Sequence, residues 1–196
     1  LHRLRDRFPR RVVIWPVAVL EASNELEQLY GAMEANVDKI MAYLREQGID
    51  VAEVSIGPPS VTDKSAQQWG GGQRPEFRYS ATRVVTVYSR DVATVRRAMQ
   101  NLVELGKRGV VFSTGNFEHA TEYQFNGLND LKPVMIEEAT VNARAVAERF
   151  ARDSDSKVGK IRRASQGQFT ITDRDRNNPH LKTVRVVSTI EYYLAD

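Results

Sequence analysis

The segment Asp173-Arg174-Asp175-Arg176-Asn177 sets oxygen-bearing side chains at alternate positions, the spacing with which a calcium loop surrounds its ion. The pattern then fails where such loops are most demanding. The sixth position is Asn178 instead of Gly, the seventh is Pro179, and the twelfth is Val184 instead of Glu. A hairpin turn braced by Asx side chains fits better. The histidines, His2, His119 and His180, stand among turn residues, none with another at the i+3 or i+4 spacing that suits a shared metal. They read as exposed or locally bonded imidazoles. Ser113-Thr114-Gly115-Asn116 places a serine near a glycine, but a nucleophile elbow needs glycine where Val111 stands. Glu137 and Glu138 are adjacent, so on a helix they point about 100° apart and cannot face each other as acid and base. They suit the positive start of a helix instead. Gly70-Gly71-Gly72 lacks the Lys-Ser/Thr pair and the following helix of a phosphate cradle. It reads as a surface loop with Trp69 at its tip, placed to be buried against a neighbouring subunit. No catalytic residues, metal ligands or cofactor are expected from these groups, and an enzyme (an uncharacterised hydrolase) ranks third among the readings.

The elements that hold these groups follow from composition and periodicity. With 196 residues and 41% apolar content, the chain can bury a core as one large domain or two small ones. No apolar run approaches the length that crosses a bilayer. The first residue is Leu, so a processed chain, its signal peptide or anchor removed, is the expectation. Cysteine is absent, which excludes disulfides, thiolate catalysis and Cys-ligated zinc and fits an oxidising compartment. The net charge of +3 is unevenly placed. Arg3, Arg5, Arg7, Arg10 and Arg11 against Asp6 give +4 in the first eleven residues, and the rest carries 23 basic and 24 acidic side chains. A nucleic-acid binder keeps its basic face on the folded body; a terminal excess reads as a solvated strand or arm, and no nucleic-acid partner is expected.

Arg11 to Ala22 is apolar on both faces and rich in β-branched residues, hence a buried strand, with Pro16 predicting an edge position or a bulge. Ser23 or Asn24 caps a helix carrying Leu26, Leu29, Met33, Val37, Ile40, Met41 and Leu44 on one face and ending at Gly48. Val51 to Val61 is a strand closed by Pro58-Pro59. Phe77 to Ser89 alternates as a half-buried strand does. Asp91 caps a helix with Val92, Val95, Met99, Leu102 and Val103 on one face, ending near Gly106 or Gly109. Val110 to Ser113 is a short strand, Thr114 to His119 a turn, and Thr121 to Asn126 a strand.

Leu128 to Ile161 organises what remains. Asn129 or Asp130 is the expected cap, with Pro133 tolerated in the first turn. Ile136, Ala139, Ala143, Ala147 and Phe150 recur at spacings of three and four, one apolar face able to lie close on a sheet. Asp153-Ser154-Asp155-Ser156 ends the helix, and Gly159 turns the chain into a strand from Lys160. Lys160 to Thr172 and Thr183 to Leu194 are the last strands. The class is α+β, a β-α-β-β-α-β ferredoxin-like block (1–115) followed by a β-α-β-β block (116–196), with antiparallel sheets covered by helices.

LNDLKPVMIEEATVNARAVAERFARDSDSKVGKI resembles the SIMPL family of bacterial proteins, relatives of the periplasmic immunogenic proteins. VVIWPVAVLEASNELEQLY, AYLREQGID, VTVYSRDVATVRRAM, RASQGQFTITDRD and KTVRVVSTIEYYLAD agree with it in order along nearly the whole chain. The resemblance implies an extracytoplasmic protein, periplasmic or tethered to a membrane by an amino-terminal segment, forming homo-oligomers and associated with oxidative and envelope stress. It transfers no catalytic residue. The expected function is therefore a non-enzymatic, self-assembling cell-envelope protein whose partner is itself, working through exposed sheet edges and the Trp69 loop. The alternative is a binding module for an anionic or sugar ligand, in a cleft between the two blocks near Tyr123, Arg185 and Tyr192.

Overall fold

The computed structural model describes residues 11–66 and 76–195. Trp69, the three glycines after it and the arginines before Arg11 lie outside the described residues. The described residues divide into two compact units, one comprising residues 11–124 and the other residues 125–195.

In the first unit β1 (Arg11–Ser23) is followed by α1 (Leu26–Glu46), β2 (Val54–Ile56), β3 (Ser60–Asp63), β4 (Tyr79–Ser89), α2 (Val92–Gln100), α3 (Val103–Lys107), β5 (Phe112–Ser113) and β6 (Glu122–Phe125). The strands form one sheet ordered β5, β1, β4, then β2 and β3 in line along the outer edge of β4, and β6 also pairs with β1. The registered neighbours of β1 and β4 are antiparallel. The class is α+β as the sequence predicts, and nothing in this order conflicts with the split βαβ pattern. The odd-numbered face of β1 (Val13, Trp15, Val17, Val19) and Ala81, Val85 and Val87 of β4 meet Leu29, Met33, Val37, Ile40, Tyr43 and Leu44 of α1 and Val95 and Ala98 of α2 in one core. Each large side chain closed in this way contributes about 1.5–3 kcal/mol.

Several expectations change. Pro16 lies in neither an edge strand nor a bulge: β1 has β4 on one side and β5 on the other, and Pro16 pairs in unbroken register with Thr86. On that side β5 pairs only with Ala18 and Val19. Beside it the Thr114 hydroxyl donates to the Pro16 carbonyl at 2.8 Å, a side-chain bond where the proline itself can donate none. The strand expected over Val51 to Val61 is a 3-10 turn at Val51–Glu53 and then two short strands broken at Gly57-Pro58-Pro59, where no proline N–H can serve a ladder. The helix after Asp91 breaks at Asn101-Leu102 into α2 and α3. The strand expected to open the second block, β6, pairs with β1.

The second unit holds α4 (Leu128–Asp153), β7 (Lys157–Gln166), β8 (Thr170–Asp173), β9 (Lys182–Arg185) and β10 (Ser188–Ala195). Among the described residues β7 pairs only with β10 and β8 only with β9, both antiparallel, making a two-stranded ribbon interrupted at Gly167–Phe169 and bridged there by Gly167 N–H donating to Val187 O. α4 begins one residue ahead of the expected caps, after Gly127 and with no side-chain cap, so Pro133 stands inside the helix rather than in its first turn. At the other end Asp155 takes a left-handed conformation (φ 55°). The Ser156 N–H then reaches Ala151 O and the Asp155 N–H reaches Arg152 O, the two bonds of a Schellman closure. Gly159 lies within β7, not before it. A methyl group there would sit 2.8 Å from Tyr193 O across the ribbon, so only glycine lets the strands approach.

The apolar face expected on α4 is covered only in part. Ile136, Ala139, Ala143 and Ala147 are half-buried, but Phe150 is 71% exposed. The closed positions are Leu131 and Ala151, the latter about 100° further round the helix than Phe150.

Candidate functional site

The calcium-like segment is a turn whose oxygens are already engaged. Asp175 Oδ1 accepts from the Asn177 N–H at 3.0 Å and Asn178 Nδ2 at 2.8 Å, and Oδ2 accepts from Arg174 Nε at 2.7 Å. The Arg174 guanidinium, with Asn178 and Asn177 behind it, lowers the Asp175 carboxyl below its usual range. Asp173 pairs with Lys182 across β8 and β9. This is the Asx-braced hairpin read from the sequence.

The Ser113–His119 segment is equally spent on structure. Asn116 Nδ2 donates to Ser113 Oγ at 2.7 Å, Asn116 Oδ1 accepts the His119 N–H at 2.8 Å, and the Gly115 N–H donates to His119 O at 2.9 Å. Thr114 Oγ1 accepts from Trp15 Nε1 at 3.0 Å while donating to Pro16 O. The serine hydroxyl therefore faces an amide, not a base. Glu137 and Glu138 are both exposed on α4. Among the described residues no group of three or more His, Asp or Glu side chains converges as a metal site, and no helix is long and apolar enough to cross a membrane.

Tyr123, Arg185 and Tyr192 divide between the units. Tyr123, on β6, packs against the first unit's core with its hydroxyl 3.7 Å from Met99 Sδ. Burial raises its pKa, partly offset by Arg96. Arg185 is exposed at the end of β9, and Tyr192 is half-buried on β10. The Tyr192 and Ser188 hydroxyls, four residues apart on one face of β10, are shielded from solvent with no hydrogen-bond partner among the described residues. Trp69 lies outside the described residues.

A side chain the sequence reading passed over is Phe117. It is 99% exposed, at the tip of the turn that Asn116 braces. The available signal was an aromatic ring inside a segment of turn residues, where nothing local can cover it.

A family model described as SIMPL, protein of unknown function (DUF541), matches residues 8–187. Two curated proteins share short stretches with the chain. The exodeoxyribonuclease 7 large subunit of Ruegeria sp. (strain TM1040) is 56% identical over 34 residues, 17% of this chain and 7% of that protein. The same subunit of Ruegeria pomeroyi is 78% identical over 23 residues, 12% of this chain and 5% of that protein. The chain thus spans a small fraction of either relative's length, and stretches so short carry no nuclease reading.

Proposed function

The chain belongs to the SIMPL family, and from that premise we propose that it is a non-enzymatic, self-assembling protein of the bacterial cell envelope. It acts in the periplasm or anchored to a membrane facing it, in the response to envelope stress. The observation that carries the reading is the incomplete second unit. Among its described residues only Leu131 and Ala151 are buried hydrophobics, while Val141, Val146, Phe150, Ile161, Tyr193 and Leu194 are exposed. A two-stranded ribbon is marginal alone in water, and among the described residues the outer edges of β7 and β10 have no partner strand. A second copy that covers this surface would supply what the unit's described residues do not. Light scattering behind size exclusion, across a dilution series, tests this. A defined oligomer that dissociates on dilution is expected; a monodisperse monomer at micromolar concentration would overturn it. Fractionation of the full-length protein tests the compartment, and recovery in the cytosol would exclude an envelope role.

A second reading, a binding module for an anionic or sugar ligand, is favoured by the shielded Tyr192 hydroxyl with no partner. A native-state ligand raises the melting temperature; a flat response across phosphate, sulfate and simple sugars would remove this reading.

A further inference from the structure

Phe117 is held out in water by a rigid mount. Gly115 in the left-handed region (φ 72°) and the bonds Asn116 makes to Ser113 and His119 fix the turn, and Thr114 ties its stem to Trp15 and Pro16 in the core. A ring so placed loses little conformational freedom when it docks, and aromatic anchors of this kind carry much of an interface's energy. Its neighbour Glu118 is exposed and has no ion-pair partner among the described residues.

The second unit offers a complementary surface. Ala143, Val146 and Phe150 fall at i, i+3 and i+7 along α4 and so share a face. Val146 is 51% and Phe150 71% exposed, and the small Ala143 beside them is half-buried. Arg149, adjacent to Phe150, is exposed and likewise without an ion-pair partner among the described residues.

We propose that Phe117 of one copy docks on the Ala143–Val146–Phe150 face of a second copy, with Glu118 meeting Arg149. This rests on the self-assembly reading and names its contact. The occupant is a second copy because Phe117 and, on the receiving face, Val146 and Phe150 are exposed in the same chain, with opposite charges beside them. The two surfaces differ, so the contact is head to tail. Each copy gives one and receives one, which builds closed rings or open filaments rather than a symmetric pair.

Sedimentation velocity on the full chain tests the contact. Phe117→Ser and Phe150→Ser alter exposed side chains and leave both cores intact. Each is expected to raise the concentration at which the oligomer dissociates by about 10- to 100-fold, the worth of one buried phenyl ring. Mixing the two variants is expected to give dimers and nothing larger, because Phe150→Ser keeps the ring and Phe117→Ser keeps the face. Glu118→Arg is expected to weaken assembly, and adding Arg149→Glu in the same chain to restore it. An oligomer of unchanged mass and stability in both serine variants would overturn the contact while leaving self-assembly standing. A monomeric wild-type chain at every concentration would overturn both.

Discussion

Residues 11–124 and 125–195 are built from the same kinds of element, and they end with very different interiors. In the first unit a central strand has partners on both edges and helices across one face, and a single apolar core runs from Val13 to Val110. In the second a 26-residue helix lies on a ribbon two strands wide. Among the described residues each ribbon strand has one paired edge and one without a partner strand. The contrast shows that secondary structure and hydrophobic content do not make a core. Closure does, and closure needs a third layer or a wider sheet.

The sharpest way to break the comparison is truncation in each interior. Trp15 is closed off and bonded to Thr114. Trp15→Ala is expected to cost about 3–5 kcal/mol. Leu131→Ala, at the second unit's most enclosed large side chain, is expected to cost about 2 kcal/mol in dilute solution. Its cost should grow with protein concentration if a second copy completes that interior. Urea unfolding at several concentrations measures both; equal and concentration-independent costs would show two complete cores.

Next in size is the ribbon's tightest approach. Gly159→Ala puts a methyl group 2.8 Å from Tyr193 O and 3.3 Å from Tyr193 Cβ, and a loss of about 1–3 kcal/mol is expected. Gly106, with nothing within 4 Å of the added carbon, is the control in the first unit. It lies in α3, and Gly106→Ala is expected to be neutral or to stabilise by up to about 1 kcal/mol. Amide exchange along β7 and β10 reads the difference, and unchanged protection in Gly159→Ala would mean the two strands can part without loss.

Much of the first unit is legible in sequence because its main elements, β1, α1, β4 and α2, turn apolar residues into one core. Five of the seven apolar positions read on α1 are buried (Leu29, Met33, Val37, Ile40 and Leu44), while Met41 is half-buried and Leu26 exposed; the alternation through β4 marks its inward side chains, and Gly48 marks where α1 stops. What escapes is long-range. Nothing local shows that β6 pairs with β1, or that a threonine nearly a hundred residues on would bond the carbonyl of Pro16. In the second unit the helical period is legible but its coverage is not. The Ala139–Phe150 face has the pattern of a buried stripe, and burial depends on a layer that the described residues of this unit do not supply. The site expectations fare according to how local they are. The Asx turn at Asp175 involves neighbours and is readable, whereas the exposure of Phe117 is a property of the finished surface.

Acid separates the units by a smaller effect. Carboxyls held below their usual range include Glu46 (by the Arg108 side chain), Asp63 (by Arg78, then Ser65) and Asp91 (by Thr94) in residues 11–124, and Asp175 (by Arg174) in residues 125–195. A lowered folded-state pKa stabilises above the unfolded value, about 4, and that contribution is lost as pH falls further. The first unit is therefore expected to lose more on acidification. Asp63→Asn should flatten its melting temperature below about pH 4 relative to wild type, and an unchanged slope would show that the Asp63–Arg78 clasp adds nothing.

The smallest expected effect compares two helix ends that close the same way. After α1 the left-handed residue is Gly48 (φ 87°), with Gly48 N–H bonded to Arg45 O and Ile49 N–H to Leu44 O. After α4 the same pair of bonds forms around Asp155, an L-residue in a conformation glycine adopts without strain. Asp155→Gly is expected to stabilise by up to about 1 kcal/mol, because relief of strain is partly offset by the freedom glycine gains when unfolded. Gly48→Ala has room for its methyl group, 3.8 Å from Thr94 Cγ2, so only the backbone opposes it, at about 1 kcal/mol. Opposite signs of similar size in thermal melts would show that the two ends differ only in which residue occupies the left-handed position. A loss on Asp155→Gly would mean that the carboxylate itself holds the end of α4, at the point where the second unit's helix must turn back onto a ribbon too narrow to cover it.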